Sequence, residues 1–376
     1  MTAPMTSHSK PLPHVGLVTP LPPEPGGVAT VSDWLINHRV TIGYDYSIFQ
    51  LRRPDAFSGG RLGMRAIGFQ LRQLINFLRW SRTSPRTIHQ MVAATATGLP
   101  RDLLYLFILR VQGRTVIVHI QVVKPRVSWW RAMIAVLKRM RPHCVVVPSS
   151  NAAEALPVGS VSVSVIPNPI RMLEDSGMAT QGMEFFDESA DCRLAFVGDI
   201  GERKGSLRVL QALADANERG CNAVAVLAGR AENPNVRSEH ERMIVDRGLQ
   251  DAVVLAGTLQ PAELARLYDW ADIFILPSSQ EGVPLALLEA MARGLAPIVT
   301  PVGGIPEFVA DQSTAIIVPP LDVSALSAAI FELATDAEKR IRIGKAAQEY
   351  AATTLGPDRI ASLWAVAYRD AAGEAS

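Results

Sequence analysis

Short apolar runs alternate with longer segments of helical spacing along most of this chain. His14–Thr19, Thr115–Ile120, Cys144–Pro148, Leu194–Gly198, Ala223–Ala228, Ala252–Ala256, Asp272–Ser278, Ala296–Thr300 and Thr314–Val318 read as strands, most of them near-continuously apolar and so buried. Thr41–Leu51 and Val161–Ile166 are assigned the same way. Helical periodicity fills the intervals: from the first glycine pair to His38, over Gly63–Trp80, Asp102–Gln112, Val236–Gly248, Pro261–Ala271, Leu285–Arg293, Asp322–Thr335 and Ala337–Thr353. Strand–helix alternation sustained in this way predicts the α/β class with parallel sheets.

One stretch says more than fold class. Gln280–Val309 reads QEGVPLALLEAMARGLAPIVTPVGGIPEFV and follows a buried strand. Gly282 breaks the chain, Pro284 suits the first position of a helix, and Gly294 stands where the helix should end. The carboxyl ends of strands in an open α/β sheet are where ligands bind, and the free N–H groups of a helix start favour phosphate. Two carboxylates flank that start, Glu281 in the loop and Glu289 within the helix. About 100° per residue lets Glu289 point toward the same rim, where carboxylates accept hydrogen bonds from sugar hydroxyls. Taken from the residues alone, this is an anion or sugar site; two solvated glutamates are the plain alternative.

Other stretches fit such a site. Gly26-Gly27 lies between the first strand and its helix, where glycine lets backbone approach a ligand, although an ordinary tight connection reads the same. Asp199-Ile200-Gly201-Glu202-Arg203-Lys204-Gly205 sets glycines and two cations before a helix, a natural diphosphate cradle. His119 ends a β-branched strand on the ligand side of the sheet. No G-x-G-x-x-G fingerprint follows a strand, which disfavours NAD, and no metal-ligand cluster is visible.

At 376 residues and 48% hydrophobic content, the chain is long enough for two domains with cores of their own. Cys144, Cys192 and Cys221 are spaced too widely for a disulfide framework or a zinc site, and a reducing cytoplasm follows. The polar, Pro-containing start lacks the apolar core of a signal peptide, and no run reaches the ~18 apolar residues of a membrane span. A soluble, cytoplasmic chain is expected. Its net charge of +1 conceals an asymmetry: residues 1–170 hold 19 Lys/Arg against 6 Asp/Glu, and the remainder 18 against 30. Ala56–Arg101 contains seven arginines and no acid. That bias predicts attraction to membrane lipid, a lipid-linked acceptor or an acidic polysaccharide, or between the halves themselves. Nucleic acid is disfavoured because no recognised binding motif accompanies the charge.

Within the basic half, Gly63–Trp80 is amphipathic. Arg65, Arg72, Arg79 and nearby Arg82 share one side, and Phe69, Leu71, Leu74, Ile75, Phe77 and Leu78 supply the apolar one. A core-packed helix with a solvated face and a helix lying on an anionic membrane both fit. The following loop, Gln121–Arg131, carries Lys124, Arg126, Trp129, Trp130 and Arg131, which suits a membrane interface, sugar stacking or packing.

EGVPLALLEAMA followed by PVGGIPEFV resembles the E-x7-E signature of the family-4 retaining glycosyltransferases, also called glycosyl transferases group 1. The resemblance is dense over 194–355 and patchy before 171. It implies the GT-B fold: two Rossmann-like, doubly wound parallel-sheet domains facing a cleft. Residues 1–170 would form the acceptor-side domain, 171–192 the linker, 193–355 the nucleotide-sugar-binding domain, and 356–376 a tail packing back on the first. In the resembled family, Glu281 lies near the donor sugar, Glu289 on the ribose and His119 beneath the sugar. Lys204 and Arg203 would face the diphosphate with Gly282, Val283, Pro284 and Leu285 around the donor, and backbone at Thr258 and Leu259 would hold the base. Gly26 and Gly27 would touch donor phosphate or acceptor. Arg86–His89 resembles the family's short strand ending in histidine, with Met91 where a second histidine is usual. Asp199 stands where the pattern G-R-x-x-x-x-K-G has its arginine, which removes one expected phosphate cation.

The expected function is therefore a retaining, metal-independent transfer of a sugar from a nucleotide-diphosphate donor to a hydroxyl of a glycan, lipid-linked or small-molecule acceptor. Glu281, His119 and Lys204 are the expected catalytic residues. The nucleotide sugar is a co-substrate, and no resident cofactor is expected. The competing readings are a catalytically impaired nucleotide-sugar-binding protein and a GT-B sugar-nucleotide epimerase.

Overall fold

The computed structural model describes residues 11–22, 27–52, 64–92, 98–123, 128–171 and 190–373. Contacts divide the chain into two units: the described residues of Met1–Pro148, Ala153–Ile166 and Asp358–Ser376, and those of Ser149–Ala152 and Pro167–Pro357.

The first unit runs β1 (His14–Thr19), α1 (Gly27–Asn37), α2 (Arg39–Ile42), β2 (Asp45–Gln50), α3 (Met64–Thr83), β3 (Thr87–Val92), α4 (Leu99–Val111), β4 (Thr115–Ile120), α5 (Ser128–Met140), β5 (Cys144–Val147) and β6 (Ser162–Val165), and the short α6 (Ser150–Glu154) between the last two strands is divided between the units after Ala152. Its six strands pair in parallel in the order β2-β1-β3-β4-β5-β6. The order follows composition. TIHQMV of β3 and CVVV of β5 are wholly buried, while SVSV of β6 and DYSIFQ of β2 keep partial exposure at the edges.

The second unit continues with β7 (Cys192–Val197), α7 (Ser206–Glu218), β8 (Ala223–Ala228), α8 (Pro234–Asp246), β9 (Val253–Gly257), α9 (Pro261–Trp270), β10 (Ile273–Leu276), α10 (Leu285–Ala292), β11 (Ala296–Val299), β12 (Ile316–Ile317), α11 (Val323–Thr335) and α12 (Ala337–Thr354). Its sheet is again six-stranded and parallel, ordered β12-β11-β10-β7-β8-β9. Helices start where the residues provide a cap: Asn233, Asp322 and Asp336 each accept the amide three residues on. The last helix, α13 (Pro357–Ala372), buries Trp364 and Tyr368 in the first unit against His89.

Three local readings change. The second strand begins at Asp45 because Arg39–Ile42 form a helical turn closed by Gly43 at φ 81°, whose amide bonds the carbonyls of Arg39 and Val40. The stretch read as a loop to Arg131 becomes helix from Ser128. Trp130 is therefore a core residue, 1% exposed, its Nε1 donating to the Ala155 carbonyl, and Trp129 is half-buried. Lys124, Arg126 and most of the linker 171–192 lie outside the described residues. The sequence reading did not identify α6.

Candidate active site

Because β7, β8, β9 and β10 are parallel, the loops that follow them leave the second unit's sheet along one edge. The loop after β10 carries Glu281, whose side chain is only 6% exposed. Its Oε1 accepts from Lys204 Nζ at 2.6 Å and from Ser278 Oγ at 2.6 Å. Arg203 Nη1 stands 3.9 Å from the same oxygen and donates to the Gln280 carbonyl at 3.3 Å. The Ser279 amide returns a bond to the Arg203 carbonyl at 2.9 Å. The Arg-Lys pair before α7 and the acid before α10 thus form one cluster. Asp199 belongs to it as well, its carboxylate 3.6 Å from Arg203 Nη2.

Glycines make this approach feasible. Gly205 caps α7 at φ 78°, and a Cβ there would lie 2.4 Å from the Pro277 carbonyl oxygen. Gly303 adopts φ 60°, and its Cβ would lie 2.1 Å from the Glu281 carbonyl oxygen. The next amide, Gly304, donates to the Gly282 carbonyl at 2.8 Å, and Asn168 Nδ2 donates to the Val283 carbonyl at 3.0 Å. The PVGG run therefore clasps the Glu281–Val283 turn from one side, and Asn168 holds it by its carbonyl. Val283 and Pro284 are buried, Pro284 caps α10, and Leu285 is the first helical residue. Amides in the first turn of a helix have no intrahelical acceptor, so the starts of α7 and α10 both offer N–H groups.

Glu289 is placed differently from the expectation that it faces the rim. It is 4% exposed. Tyr268 donates to Oε2 at 3.2 Å, and Arg171 Nε forms an ion pair with Oε1 at 3.2 Å. Burial pushes the carboxyl above its ordinary value, opposed by Arg171 and the Tyr268 hydrogen bond. Thr258, exposed, and Leu259, half-buried, follow β9 at the sheet's edge. Beside them Gly229 N donates to the Gly257 carbonyl at 2.7 Å, and a shallow hollow is lined by Ile200, Gly229, Ala231, Arg237 and Gly257.

The remaining expected residues belong to the first unit. Gly27 opens α1, and Gly26 lies outside the described residues. His119, 1% exposed near the end of β4, lies with Nδ1 3.2 Å from His89 Nε2 and with Nε2 2.8 Å from Gln121 Nε2. Burial lowers its pKa to about 3, and burial together with His119 holds His89 well below the histidine range. Both rings are neutral at pH 7.

Sequence reasoning missed Ser278, Asn168, Arg171 and Tyr268. Ser278-Ser279 directly before Gln280 was a local signal. Nothing near Arg171 in the chain announces a partner at 289.

Chemically, the cluster at the edge of the second unit supplies two cations and two helix starts for a polyanion, with a carboxylate held beside them. Residues 188–350 match the family model described as glycosyl transferases group 1. A D-inositol 3-phosphate glycosyltransferase of Corynebacterium glutamicum is 32% identical over 163 residues, 43% of this chain and 39% of that protein. The chain thus spans about two fifths of the length of the relative it matches. Among solved structures, sucrose-phosphate synthase of Thermosynechococcus elongatus superposes with TM-score 0.74 at 18% identity, covering 96% of this chain and 100% of that one. HepE of Anabaena in complex with UDP-glucose superposes with TM-score 0.71 at 16% identity, covering 95% and 99%. These likenesses establish the fold as GT-B.

Proposed function

We propose, from the match of residues 188–350 to the glycosyl transferases group 1 model, that the protein is a retaining glycosyltransferase that moves a sugar from a nucleotide-diphosphate donor to an acceptor hydroxyl. The observation that carries this reading is the contact of Lys204 with Glu281 between two helix starts. Breaking the anomeric C–O bond puts negative charge on the leaving diphosphate. Lys204, Arg203 and the amides at the start of α10 stabilise that charge, without a metal ion in this reading. Glu281 is held where it meets the donor sugar. Front-face attack by the acceptor hydroxyl, its proton passing to the leaving phosphate oxygen, retains the configuration. The UDP and UDP-glucose complexes of HepE support a nucleotide of this class as the donor.

Asp199 favours one second reading. It is paired with Arg203 where the family pattern supplies a cation, so a donor-binding protein with little turnover is the alternative. A thermal-shift panel of UDP-, GDP- and ADP-sugars, repeated on Lys204→Ala, tests the first step. A donor at 100 times its Kd stabilises by about 2.7 kcal/mol. A shift with one donor, lost in the variant, supports the site, and no shift with any donor defeats it. Release of free nucleotide with an acceptor library then separates transfer from binding alone.

The partner surface is also part of this reading. Exposed Ile67, Leu71 and Ile75 form a row on α3, and exposed Leu104, Phe107 and Val111 a row on α4. The two helices pack through the stacked rings of Phe77 and Tyr105, 3.8 Å apart. Arg72, Arg79, Arg82 and Arg110 are exposed on the same helices, and the one acid between Met64 and Met140, Asp102, is buried. No described helix is long and apolar enough to cross a membrane. We propose that α3 and α4 rest on an anionic lipid surface at the cytoplasmic face, where apolar side chains insert and arginines meet headgroups. Co-sedimentation with vesicles containing phosphatidylglycerol, weakened by Leu71→Asp with Phe107→Asp and absent with neutral vesicles, is the expected result. Equal binding by the double variant removes the surface from this proposal.

A further inference from the structure

The turn that carries Arg203 and Lys204 is tied down by buried groups that the proposed chemistry leaves unused. The Gly201 amide donates to Ser206 Oγ at 2.9 Å, and that hydroxyl lies 2.8 Å from His240 Nε2. His240 Nδ1 in turn lies 2.7 Å from the Val236 carbonyl oxygen, one turn earlier in α8. Ser206, the first residue of α7, is wholly buried, and His240 is 1% exposed. Every member of the set belongs to the second unit.

The ring fixes the direction of these bonds. A carbonyl only accepts, so His240 carries a proton on Nδ1 and donates it to Val236. Nε2 then accepts the Ser206 hydroxyl hydrogen, or donates to the hydroxyl oxygen where the ring is charged. In both cases Ser206 Oγ keeps a lone pair for the Gly201 N–H. A serine at a helix start has several side-chain rotamers and can bond back to its own helix. Contact with a ring locked by Val236 selects the rotamer that faces Gly201.

Gly201 is the point at which this restraint counts. Just before it, Ile200 pairs with Ala231, its amide donating to the Arg230 carbonyl at 2.9 Å. Just after it, the chain turns back, and the Gly205 amide donates to the Gly201 carbonyl at 3.1 Å. Arg203 and Lys204 lie inside that turn, from which Lys204 Nζ reaches Glu281. Arg208 Nη2 donates to the Glu202 carbonyl at 2.8 Å, and the Ser279 amide to the Arg203 carbonyl at 2.9 Å. Those bonds hold carbonyls of the turn; the Ser206–His240 pair holds the amide at which it starts.

We propose that Ser206 and His240 are positioning residues for Lys204, setting the backbone from which its ammonium meets the leaving diphosphate. That role rests on the sugar-transfer reading above; the hold on the Gly201 amide does not. A group that stabilises charge in the transition state is sensitive to small displacements, so a restraint on its backbone carries into the rate.

The test uses the full chain labelled with 15N-glycine, with His240→Leu, His240→Gln and Ser206→Ala. Amide hydrogen exchange at Gly201 reads the hold. It should quicken about tenfold in His240→Leu and in Ser206→Ala, as loss of one hydrogen bond would. Glutamine offers Ser206 an acceptor in place of Nε2, so His240→Gln should stay near the wild-type rate. The functional arm uses the nucleotide sugar selected in the thermal-shift panel. His240→Leu and Ser206→Ala should each lower kcat about tenfold with KM little changed, and His240→Gln should restore most of it. Added to Lys204→Ala, neither substitution should lower kcat further, because the group they position has gone. A merely structural role reduces the folded fraction and so costs the same factor in both backgrounds. Ser206→Ala removes a single oxygen and carries both arms if the leucine variant does not fold.

Exchange at the wild-type rate in Ser206→Ala overturns the hold, and the positioning role with it. Faster exchange with unchanged kcat, or with an equal loss in the Lys204→Ala background, overturns the positioning role. If the wild type consumes no nucleotide sugar while Gly201 behaves as stated, the transfer reading and the role toward Lys204 both fall, and the hold on Gly201 stands.

Discussion

The two units carry the same kind of sheet and furnish its carboxyl end in opposite ways. In the second, the strand-end groups are ions: Lys204 touches Glu281, and Arg203 lies between Glu281 and Asp199. In the first, they are neutral: His89 and His119 bond to each other, a phenol and an amide, with no carboxylate among those partners. Burial explains the division. A charge removed from water persists when an opposite charge lies within hydrogen-bond distance, and a titratable ring without one gives up its proton. A shared scaffold therefore says little about chemistry until the partners of each strand-end residue are known.

Breaking the ionic side should have the largest effect. Lys204→Ala and Glu281→Ala should each lower kcat/KM for nucleotide-sugar consumption roughly 10²–10³-fold, as removal of a charge-stabilising group does, with the circular-dichroism spectrum unchanged. Near-normal rates in a folded variant would take that residue out of the reaction. Next comes a pair of glycines. Gly303→Ala combines φ 60° with a Cβ 2.1 Å from the Glu281 carbonyl oxygen, and should cost on the order of 3 kcal/mol in a urea titration. Gly43→Ala in the first unit has φ 81° and open space around it, so about 1 kcal/mol is expected. Equal costs would show that the clasp on Glu281 has slack.

The neutral side should respond to acid. Both histidines release their protons more readily in the folded state than in the unfolded chain, so unfolding takes up protons. Their contribution is complete above the unfolded value near pH 6.5 and is lost as pH falls from there toward 3. The slope is up to about 1.4 kcal/mol per pH unit for each ring. Urea midpoints from pH 7 to pH 5 on wild type and on His89→Gln with His119→Gln should diverge accordingly; parallel curves would mean the rings are charged. Glu289→Gln should matter least. Burial raises the carboxyl, so the folded state holds that proton more tightly and loses stability as pH rises through the carboxylate range. The amide removes that slope and the Arg171 pair together, for a net change within about 1 kcal/mol at pH 7.

Much of this was legible because it is local. Gly282, Pro284 and Gly294 punctuate α10 within a dozen residues, and the alternation of strands and helices declares both sheets. The burial of Glu289 was not legible, because the helical wheel places it on a face without saying which face is inward; Arg171 and Tyr268 decide that from 118 and 21 positions away. The start of α5 was hidden because Lys124, Arg126 and two tryptophans look alike in a loop and in an amphipathic helix. His89 was visible as a strand residue, but its phenolic partner lies 279 positions along the chain.

That last separation has a consequence for assembly. The strands of the first unit are complete by Val165, yet the hydroxyl that closes on His89 belongs to residue 368, after the whole second unit has been made. At ribosomal speeds of roughly 5–20 residues per second, the first sheet waits on the order of ten seconds or more with a histidine pair and an aromatic slot uncovered. The second unit, continuous from Pro167 to Pro357 apart from one short segment, has no such delay. Synthesis order and folding order thus run against each other, and the first unit to emerge is the last to be finished.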